Sequence, residues 1–176
     1  MFERKSLKKE RFMAPEAITN EHKEYLERSI DIKATAEHVW KALFKKRHFE
    51  RWSKAFSDNA TVESEWKLGG SIKFVDSNGS GIVGTIKACE PFEELSIRFE
   101  CLLKNGKEDK ESDKAKKWIG CHENFFLVEG QTETILTVEE DVPQERLEGL
   151  TSKWDAALRE IKSIAEEMRD SAGTWA

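Results

Sequence analysis

Over residues 25–33 the polarity of the chain alternates. Leu26, Arg28, Ile30 and Ile32 share one face, while Glu27, Ser29 and Asp31 share the other. That pattern predicts a strand with one solvated side. The period then lengthens: Val39, Trp40, Leu43 and Phe44 recur at helical spacing. Thr35 can cap that helix, since its side-chain oxygen would accept an early orphan amide. Glu37 lies in the first turn near the positive dipole end, and the basic run Lys45, Lys46, Arg47 suits the negative end. Phe49, Trp52 and Phe56 repeat at three to four residues and predict a second short helix.

Alternation then returns. Residues 61–66 are extended, and Gly69 with Gly70 lets the backbone turn tightly. Ile72 and Phe74 share a face, and Asn78 followed by Gly79 is a strong hairpin signal. Another strand runs over 81–89, and Pro91 marks a turn. Leu95, Ile97, Phe99 and Cys101 alternate with Ser96, Arg98 and Glu100. Residues 104–117 hold six lysines against four acids. They read as a long solvated loop or as two strand ends projecting past the sheet. Strand character resumes over 118–129, with Phe125 and Leu127 opposite Asn124, Phe126 and Val128. A last strand covers 132–142, with Thr134, Leu136 and Val138 on one face.

Leu147, Leu150, Trp154, Leu158, Ile161 and then Ile164 or Ala165 recur at three or four residues. This is one amphipathic helix of about 25 residues, roughly 37 Å long. Asp141 ahead of Pro143 and Gln144 reads as its capping pattern. The order is therefore strand, two short helices, about six strands, then a long helix. Crossover helices between successive strands are missing, which argues against a doubly wound parallel sheet. The fold class is α+β: a curved antiparallel sheet of six to seven strands wrapped around a long C-terminal helix. Residues 1–24, charged and aperiodic, read as a flexible arm; 25–170 form the domain; 171–176 read as a disordered tail.

At 176 residues the chain makes one domain that buries a core without disulfide or metal staples. Its 29 basic against 34 acidic side chains give no global attraction to nucleic acid or anionic lipid. No apolar run approaches the 18 or so residues of a membrane span, and the N-terminus lacks the apolar block of a signal peptide, so a cytoplasmic location is expected. Cys89, Cys101 and Cys121 are odd in number and sit in alternating patterns, so they read as reduced, buried strand thiols. His22, His38, His48 and His122 are scattered and make no zinc motif. Neither a metal nor a cofactor is expected.

Several residues in order carry a resemblance. They are Ser29 to Ile32, Ala36 to Trp40 with its Val39 and Trp40 pair, then Arg51 and Trp52, then Gly69 and Gly70. Val83 to Ile86, Pro91, Leu95 to Phe99, and Leu150, Trp154 and Leu158 on the last helix follow. This order resembles the START-like (SRPBCC) superfamily, and within it the branch named after the activator of Hsp90 ATPase (homolog 1-like domains), over roughly residues 26–167. The resemblance implies a helix-grip fold, often with a cavity between long helix and sheet. Members include binders of lipids and hydrophobic small molecules, aromatase/cyclase enzymes of polyketide synthesis, resistance proteins and co-chaperone domains. Two departures stand out: Lys153 precedes Trp154 where the family often has Gly, and the charged 104–117 segment is long.

Trp52, Phe74, Phe99, Trp118, Phe125, Leu150, Trp154 and Leu158 are the candidate ligand-binding residues, on the sheet's concave face and the helix above it. The same side chains would equally serve as core. Trp154 leads them, since a buried indole N–H requires a partner. Gly149 reads as a site of close packing, room for a ligand, or a tolerated flaw in the helix. His122 and Glu123 form a possible acid–base pair, but adjacent strand residues face opposite ways, so a surface role is expected for both. Asn124, Arg98, Thr137 and Glu63 are possible polar groups of the cavity. No nucleophilic triad is present, and no catalytic residue is assigned. Three classes follow: a binder of a hydrophobic small molecule; a protein-interaction domain, co-chaperone-like or with a stress or regulatory partner; and a cyclase-like enzyme on a polyketide-type substrate. The second would use the Lys45 to Arg47 run, the 104–117 segment or the arm. A monomer or a homodimer suits all three.

Overall fold

The computed structural model describes residues 23–173. Of the arm expected over 1–24, residues 1–22 lie outside them, as do the last three residues of the tail expected over 171–176. Strand β1 (Lys23–Ile32) leads into helices α1 (Ala36–Phe44) and α2 (Lys46–Trp52) and a 3-10 turn (Ser53–Ala55). Strands β2 (Thr61–Ser64), β3 (Ser71–Val75), β4 (Gly81–Glu90), β5 (Glu94–Lys104) and β6 (Lys107–Asp109) follow. Helix α3 (Asp113–Trp118), β7 (His122–Glu129), β8 (Thr134–Pro143), a 3-10 turn (Gln144–Arg146) and α4 (Leu147–Gly173) complete the chain.

All strand pairs are antiparallel, in the order β1-β8-β7-β5-β4-β3-β2, with β6 added on β5. This is the helix-grip arrangement, a curved sheet around a long C-terminal helix. One side of each long strand is apolar, and among the described residues α4 alone is long enough to cover it, at about 40 Å. Its Leu150, Trp154, Leu158, Ile161 and Ala165 face Leu26, Ile97, Phe125, Leu136 and Val138 in one core. Burying each such side chain contributes about 1.5–3 kcal/mol. Alternation is strict along β8, where Thr134, Leu136, Val138, Glu140 and Val142 are all buried.

The capping expectation at α1 holds: the Thr35 side chain accepts from the His38 amide. Other expectations need correction. Lys45 does cap α1 at its C-terminus, but Lys46 and Arg47 open α2 instead of closing α1. Asp141 does not cap α4. It lies in β8 and accepts from the main-chain N–H of His122 and contacts its Nδ1, both at 3.0 Å. The last helix continues to Gly173, and β1 begins at Lys23. Cys121 is buried but lies between α3 and β7 rather than on a strand.

The largest correction concerns 104–117. It is not a loop. Asn105 and Gly106, both with positive φ, turn β5 into β6, and Ser112 caps α3 by accepting from the Ala115 amide. Trp118 therefore ends a helix instead of starting a strand. Local polarity gave no sign of this, because tertiary anchors hold the helix: Ala115 is fully buried, Trp118 packs edge-on against Phe99 at 6.2 Å, and the Cys121 thiol donates to the Lys117 carbonyl.

Candidate ligand cavity

Between α4, the end of α2 and the far half of the sheet lies a cavity of about 700 Å³. Its walls are aromatic. Trp52 and Trp154 stack at 5.9 Å, Phe56 meets Trp154 edge-on at 4.9 Å, and Phe49 stacks on Phe74 at 5.5 Å. Phe99 and Trp118 continue the lining toward α3. The Trp52 indole N–H donates to the Leu43 carbonyl at 3.1 Å, which fixes that ring against α1. Gly81 borders the space at the start of β4, where a Cβ would lie 1.9 Å from the Phe74 carbonyl oxygen. No side chain fits there without moving the main chain.

The mouth is polar. Lys104, Lys114 and Arg146 line it and are exposed, with Ser112 and Asp109 beside them. The 104–117 segment thus forms part of the cavity rim. Lys153, one residue before Trp154, also lines the space, and its ammonium lies 3.5 Å from the Phe56 carbonyl.

The deep wall carries two carboxyl groups. Glu123 and Glu140 face each other directly across the β7–β8 pair, only 9 % and 4 % exposed. Side chains so paired stand about 5 Å apart at Cβ. Glu140 accepts a 2.8 Å hydrogen bond from the Trp154 indole N–H. Burial pushes the Glu140 carboxyl up; the Trp154 bond opposes this and the Asp141 charge adds to it. Burial pushes Glu123 up as well, helped by the charge of Glu140. Two such neighbours resist ionising together. Outside the cavity, burial also raises Asp141, but the hydrogen bonds from His122 outweigh it and bring the group below its usual value.

Of the eight candidate residues, Trp52, Phe74, Phe99, Trp118, Leu150 and Trp154 line the cavity. Phe125 and Leu158 lie in the core beside it, Phe125 edge-on to Trp154 at 6.0 Å. The His122 and Glu123 side chains do point to opposite faces, but Glu123 is buried, which corrects the surface expectation for it. Asn124, Arg98, Thr137 and Glu63 are not on the cavity wall; Thr137 bonds Ser29 on the other face of the sheet. Gly149 is exposed, and a Cβ there would meet open space, so it neither packs closely nor makes room for a ligand. The missed residues were legible by parity. Counting on by two from Leu136 and Val138 reaches Glu140, and counting back from Leu127 and Phe125 reaches Glu123.

No described helix is long and apolar enough to cross a membrane. No curated protein sequence matches the chain. Among solved structures, protein MLL2253 from Mesorhizobium loti is 16% identical with a TM-score of 0.64, covering 82% of this chain and 98% of its own. The Aha1 dimer from Colwellia psychrerythraea is 18% identical with a TM-score of 0.62, covering 81% and 96%. DynU16, from the dynemicin biosynthetic locus, is 19% identical with a TM-score of 0.59 over 81% of this chain, which spans only 47% of DynU16. These likenesses show a shared fold. The family model described as activator of Hsp90 ATPase homolog 1-like protein matches residues 33–166. The chain belongs to the activator of Hsp90 ATPase homolog 1-like family.

Proposed function

We propose that this domain binds a hydrophobic small molecule in the cavity between the sheet and α4. The observation that carries the reading is the cavity itself: about 700 Å³, with a wall of aromatic rings and polar groups at its mouth and on its deep wall. Sites for small molecules have this size and character. A filled core would instead have closed the space around Trp154. The test is titration of a panel of apolar and aromatic compounds, followed through the fluorescence of Trp52 and Trp154 and by thermal shift. An Ala60→Phe variant, which projects a ring from the cavity wall, should block binding while remaining folded. Wild-type binding that A60F abolishes supports the reading. No saturable binding across the panel contradicts it.

A second reading, a protein-interaction or co-chaperone-like role, is favoured by the family's description and by a different surface. Trp66 and Phe92 are 36% and 41% exposed, and both adopt positive φ, 48° and 70°. Bulky side chains in that region carry backbone strain, which tends to gather at functional sites. The rings extend a cluster with Trp40 and Phe44, through contacts of 6.2 Å and 5.1 Å. This reading predicts binding to an Hsp90-type chaperone, measured by calorimetry and ATPase stimulation, and its loss in W66A/F92A. It becomes the leading reading if the compound panel fails and this assay succeeds.

A further inference from the structure

The two buried carboxyls pose a question that an apolar ligand does not answer. Glu123 lines the cavity, is about nine-tenths buried, and accepts no hydrogen bond among the described residues. Glu140 takes one bond, from Trp154, and leaves its other oxygen without a partner. No basic side chain among the described residues compensates either group. The Ser53 hydroxyl, 2 % exposed and also on the wall, has no partner either. Among the described residues Ser53 Oγ is the one fully buried side-chain polar atom without a partner, while the free carboxyl oxygens open on the cavity, so a ligand that enters can bond all three groups. A divalent metal is a poor fit, because no third His, Cys, Asp or Glu among the described residues joins the pair. The surroundings fit an organic cation better. Trp154 meets Glu140 through its N–H edge, and Trp52, stacked on Trp154, lines the same cavity, so the carboxyls border an aromatic wall that suits the ring system of such a cation. Elsewhere the lining mixes signs, with Lys104, Lys114, Arg146 and Lys153 against Asp76 and Asp109, whereas at Glu123 and Glu140 two acids stand together.

We infer that the ligand is an aromatic or polycyclic molecule bearing a protonated amine, its ring system between Trp52, Phe99 and Trp118 and its ammonium seated on Glu123 and Glu140. The ammonium donates to the free oxygens of both carboxyls, and the Ser53 hydroxyl is available to a second polar group. This rests on the small-molecule reading above and names its ligand class.

The test uses three probes of one shape: 2-naphthylmethylamine, 2-naphthylmethanol and 2-naphthoic acid, titrated calorimetrically into the full chain and into E123Q/E140Q at pH 7.5. Gln keeps the size of Glu and an acceptor for Trp154, and retained alcohol binding shows that the variant is folded. The expected result is amine binding about tenfold or more tighter than the alcohol in the wild type, as charge-assisted hydrogen bonds imply, falling to within about threefold in the variant. Equal binding of amine and alcohol, or an amine preference that survives in E123Q/E140Q, overturns the inference and leaves the cavity reading standing. Tightest binding of the acid does the same and assigns selectivity to the basic mouth. Failure of all three to bind overturns the inference, while the cavity reading is decided by the wider compound panel.

Discussion

Replacing Glu140 by Gln should stabilise the protein at neutral pH. In the unfolded chain this carboxyl ionises near 4.5; in the fold, burial raises it to about 7. Below about 4.5 both states hold the proton and the folded state bears no penalty. As pH rises, the unfolded state loses its proton first, so the contribution to stability falls, and it is gone once pH passes about 7. A rise from 4.5 to about 7 corresponds to about 3 kcal/mol. Glutamine has no proton to lose and still offers Trp154 an acceptor. Stabilities of wild type and E140Q should therefore be similar near pH 4.5 and diverge by about 3 kcal/mol by pH 7.5, or about 6–12 °C in Tm for a chain of this size. The groups that face Glu140 are Glu123 across the strand pair, Asp141 beside it and Trp154 above it. Glu123 is itself raised, so E123Q/E140Q should widen the divergence. Urea denaturation of wild type and variants at half-unit steps from pH 4.5 to 8 measures it. Parallel pH profiles, or a variant that grows less stable than wild type as pH rises, would refute the picture of a buried, uncompensated acid.

Three further outcomes follow from single contacts. Trp154→Phe keeps the ring packing but removes the donor to Glu140, and chemical denaturation at pH 7.5 should show a loss of about 1.5–3 kcal/mol. Gly149→Ala adds a Cβ into open space within α4 and should raise stability by about 0.4–1 kcal/mol; a loss would mean that the glycine conformation matters there. Gly81→Ala forces β3 and β4 apart at the Phe74 carbonyl and should lower Tm, with more rapid hydrogen exchange at the cavity end of both strands; unchanged exchange would contradict the close approach.

Much of the fold was legible in two periods. Alternation located β1, β5, β7 and β8, and a 3.6-residue repeat located α4, because each of these elements has one face that must be buried. What alternation could not show was the short, charged α3. Its stability comes from the buried Ala115, the Ser112 cap and the anchor at Cys121, none of which is periodic. The aromatic wall was readable as types of residue. Its division into wall and core was not: Phe99, Phe125, Leu150 and Leu158 are all buried in one cluster, and only Phe99 and Leu150 border the cavity. The carboxyl pair was hidden by its own chemistry. A reading that stops the buried face at its first charged residue ends β8 at Val138 and β7 at Phe125, one step short of Glu140 and Glu123.

Native mass spectrometry of freshly purified protein, with denatured mass and organic extraction alongside, tests the central claim most directly. If the cavity between α4 and the sheet is a ligand site, the native spectrum should show an added mass, or acquire one from an aromatic amine, that disappears on denaturation and in A60F. A clean apo mass that no compound in the panel shifts would contradict the claim and direct attention to the exposed rings of Trp66 and Phe92.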